Sequence, residues 1–179
     1  MPTSFQEFLR QKTEGSDWRE RKRLREEWIG NLQRLLDQIR EWIRESDPEG
    51  VIELVPYRVE RVEGRLGVYD APALQIRLNT ESADVVPMDR FTQIPTTLRN
   101  TAYIQETQDL SLAHVDQYFM NEPVGRVDIT NEERAHRLLF HPRVGWQAWI
   151  SGRSGRFDQA GQRPFDKAAL EAILEDLLS

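Results

Sequence analysis

Apolar residues recur every three or four positions through residues 17–46 and every second position from Val51 onward. The chain therefore changes from a helical to an extended period near Pro48 and Gly50. In the first stretch Trp28, Ile29, Leu32, Leu35, Leu36, Ile39, Trp42 and Ile43 form one broad apolar face, as a helix lying on a core requires. Asp17-x-x-Glu20 has the form of a capping box and sets the expected start of this helix. At a 1.5 Å rise per residue it spans roughly 45 Å, about the width of a domain of this length. Ahead of it, Ser4-x-x-Glu7 with Phe5, Phe8 and Leu9 predicts a short helix, which Gly15 and Ser16 break.

The extended segments are "VIELV" and "YRVERV", then "LGVYD" after an "EGR" turn, then "ALQIRL", in which Leu74, Ile76 and Leu78 alternate with Gln75, Arg77 and Asn79. "NTES" turns the chain into "ADVVPM". Pro56, Pro72 and Pro87 each interrupt such a run, which predicts strand edges, bulges or strand starts at those positions. Residues 89–123 carry Pro95, Pro123, many turn formers and only a weak helical pattern near "LSLAHVDQYFM", so an irregular excursion is expected there. Order returns with "GRVDIT", "AHRLLFH" and "GWQAWIS", the last two joined by "HPRVG" as a hairpin. Asp166 then caps a final helix bearing Leu170, Ile173, Leu174, Leu177 and Leu178, with Phe165 and Leu170 placed as a staple.

Strands in an unbroken run imply antiparallel pairing, so the pattern predicts an α+β fold. It is expected to be one domain over residues 1–179, an antiparallel sheet flanked by a long N-terminal helix and a C-terminal helix. Its parts are a helical segment 1–47, a sheet region 51–163 with the excursion at about 89–123, and a helix over 166–178.

Composition narrows the class. The 179 residues are 30% charged and 39% hydrophobic with five Trp and seven Phe, too aromatic for a disordered chain. With no Cys, disulfide and thiolate chemistry are excluded. No leader-like apolar segment opens the chain and no apolar run reaches the length of a membrane span, so a cytoplasmic protein of bacterial type, without a membrane partner, is expected. The net charge of −6 argues against a general affinity for polyanions, and residues 48–142 hold the whole excess, fifteen acidic against nine basic.

In an extended "GWQAWIS", Trp146, Ala148 and Ile150 share one face, which belongs to the core, while Trp149 shares the other with Gln147 and Ser151. Trp149, with Arg153 and Arg156 in the glycine-serine stretch that follows, is the expected interaction surface. The two arginine-rich segments 19–25 and 153–163 could touch a nucleic-acid backbone, but Arg19, Arg21, Lys22, Arg23 and Arg25 alternate with Glu20, Glu26 and Glu27 as a solvated helix face does. His136 and His141 are five apart, so on one straight strand they face opposite sides, and His114 shares a face with Asp116 if that segment is extended. No zinc-binding spacing results, and neither a metal nor a cofactor is expected. "SGRSGRF" is neither a nucleophile elbow nor a phosphate loop, and Tyr69, Asp70, Asp128 and Glu53 could line a cleft without defining a reaction. No catalytic residue is assigned. The expected function is a non-catalytic protein-interaction or regulatory module whose partner is another protein. The alternatives are a nucleic-acid-associated protein, and an enzyme or small-ligand binder with a pocket between sheet and helix.

Overall fold

The computed structural model describes residues 3–14, 18–92, 122–150 and 161–179. Two helices, α1 (Ser4–Glu14) and α2 (Trp18–Ser46), precede a seven-stranded sheet. Its strands are β1 (Glu53–Glu63), β2 (Gly67–Leu78), β3 (Glu81–Thr92), β4 (Val124–Thr130), β5 (Ala135–His141), β6 (Gly145–Ile150) and β7 (Gly161–Pro164), and helix α3 (Lys167–Leu177) follows. The sheet order is β1-β2-β3-β4-β5-β6-β7 with every pair antiparallel. This is the α+β antiparallel architecture that the switch of period predicts.

Local chemistry explains the joints. The short helix opens one residue earlier than Ser4-x-x-Glu7 predicts. Thr3 is the cap, and it exchanges hydrogen bonds with Gln6, Thr3 N–H to Gln6 Oε1 at 2.9 Å and Gln6 N–H to Thr3 Oγ1 at 3.3 Å. At the end of α2, Asp47 accepts from Ile52 N–H at 2.8 Å and Val51 N–H at 3.0 Å. These bonds hold its carboxyl below the usual range and lead the chain into β1. Gly67 and Gly145 adopt φ of 79° and 88° where the β1–β2 and β5–β6 turns rejoin a strand, and Asn79 takes φ 55° in the turn from β2 to β3. Asp166 caps α3 by accepting from Ala169 N–H at 2.8 Å.

Each of the three prolines sits where its ladder asks for no donor. Pro56 is in the edge strand β1. Pro72 lies in β2 beyond the point where β2 pairs with β3, since that ladder runs only from Leu78↔Glu81 to Leu74↔Val85. Pro87 stands at a register shift between β3 and β4. The second half of β3 therefore has an unpaired flank toward β2, and side chains of β1 fill it. Arg61 donates to Pro87 C=O at 2.7 Å, and both Glu63 oxygens accept Arg90 N–H, at 3.0 and 3.1 Å. Strand β3 continues to Thr92, past the position near 89 where the pattern predicts irregular chain. The remainder of that excursion, 93–121, lies outside the described residues.

Helix α2 lays Trp28, Leu32, Leu35, Leu36, Ile39 and Ile43 on the sheet, against residues such as Leu74, Ile76, Val127, Ile129 and Leu138, and α3 adds Leu170, Ile173 and Leu177 to the same core. Trp42 is only half-buried, because it stands at the border of the core with its ring against Phe165, centroids 5.5 Å apart. A second, smaller cluster of Val124 and Leu139, with Val144 and Trp149, occupies the opposite side of β4 and β5.

Candidate functional site

The most unusual chemistry in the core lies where α2 crosses β3, β4 and β5. Trp28 is fully buried and packs on Trp146 and Phe140, ring centroids 6.0 and 6.2 Å away. The Arg90 guanidinium enters this cluster, 4.8 Å from the Phe91 ring centre and 5.7 Å from those of Trp28 and Phe140. Its Nη1 is buried without a hydrogen-bond partner among the described residues. Burial pulls the Arg90 pKa below its ordinary value, against the opposing pull of Glu27 and Glu63, yet a guanidinium remains charged in any protein setting. Glu63 also accepts the Tyr69 hydroxyl, and burial together with that bond pushes the Tyr69 pKa up. Each acceptor oxygen of Glu63 is committed to the fold, so the group joins strands instead of facing a substrate.

The two histidines point to opposite sides of β5, as their spacing predicts, and each meets one carboxylate. His136 Nε2 is 2.8 Å from Asp176 of α3, and Arg134 Nη1 is 2.6 Å from the other oxygen of the same carboxyl. Burial works to raise the Asp176 pKa, but the His136 hydrogen bond and the Arg134 charge outweigh it and hold the carboxyl below its usual range. On the far side, His141 Nδ1 accepts Arg143 N–H at 3.2 Å, which places the ring proton on Nε2, 2.7 Å from Glu122. No group of three or more His, Asp or Glu side chains converges to hold a metal ion among the described residues.

On that far side Arg126 grips Asp128 with two bonds, of 2.6 and 2.8 Å, and Arg137 lies 3.9 Å from the same carboxyl. Trp149 is half-buried against Val124 and Leu139. Arg153 and Arg156 lie outside the described residues, as does His114, so the expected surface of Trp149, Arg153 and Arg156 is seen only at its tryptophan. Trp146 faces α2 and the core. Tyr69 and Asp128 are buried while Asp70 and Glu53 are exposed on separate strands.

In the first arginine-rich segment Arg23 pairs with Glu20 and Glu27, Lys22 with Glu26, and Arg25 lies within 3.5 Å of the Leu66 and Val68 carbonyls. Among the described residues, clefts border α2 at two places. One, of about 380 Å³, lies between α2 and α3 over Trp42, Ile43, Ile52, Leu78 and Leu170, where Ser46 already donates to Glu171 at 2.6 Å. The other, of about 540 Å³, opens beside Leu35, Phe140, Val144, Trp146 and Phe165. Neither combines a nucleophile, a base and an orienting acid.

The outstanding surface feature is at the N-terminal end. Phe5 is 65% exposed, Phe8 50%, Leu9 45% and Trp18 45%, and the side chains of residues 3–12 are all exposed. Phe5 and Phe8 stack on one another at 6.2 Å, so α1 presents a continuous aromatic stripe. The spacing of these residues marks a helix face in the sequence, but an apolar face predicts burial, and their exposure is what the pattern does not carry. No helix among the described residues is long and apolar enough to cross a membrane. Compared with protein-family models, curated proteins and solved structures, the chain matches none.

Proposed function

We propose that this chain is a cytosolic, non-catalytic protein-interaction module of bacterial type, and that α1 is the element it offers to another protein. The observation that carries this reading is the stripe of Phe5, Phe8 and Leu9 on α1, whose described side chains, residues 3–12, are all exposed, with Trp18 at the start of α2 exposed as well. An isolated helix of only three turns is marginal in water. A groove that took up both phenylalanine rings would contribute about 1.5–3 kcal/mol for each, enough to order the helix on its partner. An amphipathic helix seated in an apolar groove is a recurring mode of recognition, read through anchors at the i, i+3 and i+4 positions.

Two further observations support this over the alternatives. The buried His136 and Asp128 sit in triads that join elements, His136–Asp176–Arg134 between β5 and α3, and Arg126–Asp128–Arg137 between β4 and β5. The basic residues Lys22 and Arg23 at the start of α2 are matched by glutamates on the same helix. The test is capture of a partner from the native host, followed by competition with a peptide of residues 3–14. Loss of the captured protein in a Phe5→Glu, Phe8→Glu variant, and displacement by the peptide, supports the reading. Capture indifferent to both contradicts it.

A further inference from the structure

Strand β1 is the edge of the sheet, paired on one side only, with β2. We propose that two copies of this chain pair through β1, antiparallel and centred on Val59, so that their two sheets become one.

The prolines decide which backbone groups face outward. Pro56 stands opposite Leu74, and Pro72 opposite Arg58. A proline has no N–H to give, so both pairs are of the type that exchanges no hydrogen bonds. Such pairs alternate with bonded ones along an antiparallel ladder. The odd-numbered residues of β1 therefore bond to β2, and Leu54, Arg58, Glu60 and Val62 direct their N–H and C=O groups away from the sheet. Nothing among the described residues bonds to them. The edge is long, Glu53–Glu63, and its even-numbered side chains Arg58, Glu60 and Val62 are exposed, Val62 at 72%. Helix α2 packs on β2, the strand inside this edge.

An edge of this length is a template for another strand unless something opposes pairing, and charges commonly do so. Here the charges are self-complementary. About Val59, each Arg58 lies directly opposite the partner's Glu60, and each Glu60 opposite the partner's Arg58. Pairing about Arg58 would instead oppose two arginines, and pairing about Glu60 two glutamates. In the favoured register Arg58 and the partner's Glu60 exchange both backbone bonds, and the Pro56 C=O accepts from N–H of the partner's Val62, which uses the one group a proline can offer.

A second observation points to the same occupant. Within one chain Glu60 stands directly across from Asp70 on β2, two like charges in register on the exposed face. Neither has an ion pair, and Arg58 has none either, among the described residues. The partner's Arg58 would arrive beside this acidic pair and neutralise it, on both sides of the two-fold axis. A strand of arbitrary sequence supplies no such cation at that place.

The test is sedimentation equilibrium across a wide concentration series, on the intact chain. The native protein is expected to dimerise. Arg58→Glu and Glu60→Arg should each weaken the dimer by about tenfold or more, through two broken cross-strand pairs and the repulsions that replace them. The decisive step is to mix them. One variant then carries only acidic and the other only basic side chains at 58 and 60, so the mixture should form a heterodimer although each alone does not. The double variant R58E/E60R should dimerise by itself. Both positions are exposed, and Glu60→Arg faces Asp70 within its own chain, so thermal melting should show the variants folded. A native chain that stays monomeric throughout, a dimer untouched by both reversals, or single variants that fail to associate on mixing would each overturn the proposal.

Discussion

Gly125 lies directly beneath the indole of Trp28: a Cβ placed on it would come within 2.6 Å of two ring carbons and 3.3 Å of the Phe140 Cβ. Trp28 is fully buried and wedged between Phe140 and Trp146, so the ring has nowhere to retreat. Gly125→Ala should therefore destabilise the fold by about 1–3 kcal/mol, read from urea unfolding. In a Trp28→Leu background, where the ring is gone, the same substitution should cost much less. Equal costs in both backgrounds would show that the two residues do not meet.

Glu63 closes the gap between β2 and β3 by accepting Arg90 N–H and the Tyr69 hydroxyl together. Glu63→Ala leaves both donors without their acceptor and should cost about 1–3 kcal/mol. Arg90→Met, which replaces a guanidinium whose buried Nη1 has no partner among the described residues by an apolar chain of similar length, should be close to neutral or stabilising. Denaturant midpoints of the two variants should move in this unequal way, whereas a large loss in Arg90→Met and none in Glu63→Ala would reverse the account of this locus.

Much of the architecture is legible in the chain because it rests on local periods. The alternation through Leu74, Ile76 and Leu78 declares a strand, the opposite facing of Trp146 and Trp149 follows from their spacing, and Pro56, Pro72 and Pro87 mark an edge, an unpaired flank and a bulge. The site chemistry is not legible in the same way. Arg90 reads as an ordinary strand charge, and only the meeting of α2, β3 and β5 surrounds it with Trp28, Phe91 and Phe140. His136 and Asp176 are forty positions apart, and their contact depends on where α3 docks. Likewise Thr3 and Gln6 form the cap that Ser4 and Glu7 advertise equally well, since two overlapping patterns compete within one turn.

The Asp176 carboxyl is held below its usual pKa by His136 and Arg134 despite partial burial. A depressed folded-state value means that the stabilisation is complete above the unfolded value, near 4, and is lost as the pH falls through the lower folded value. Acidification below about pH 4 should therefore loosen α3 from the turn between β4 and β5. Asp176→Asn should cost about 1–3 kcal/mol at neutral pH, since the nearly buried His136 loses a charged partner. It should also flatten this part of the acid profile. Urea midpoints compared for the two proteins between neutral pH and pH 3 check both statements. An unchanged acid slope in the variant would assign the acid sensitivity to other carboxylates.

The exposed stripe of α1 is the centre of the functional reading, and amide hydrogen exchange tests it most directly. In the free protein, amides of residues 4–14 should exchange far faster than those of α2 between Trp28 and Ile43, which are held by the core. In the complex with the captured partner, protection should rise across residues 4–14 and be lost again in the Phe5→Glu, Phe8→Glu variant. Protection that appears elsewhere while α1 continues to exchange freely would contradict the account.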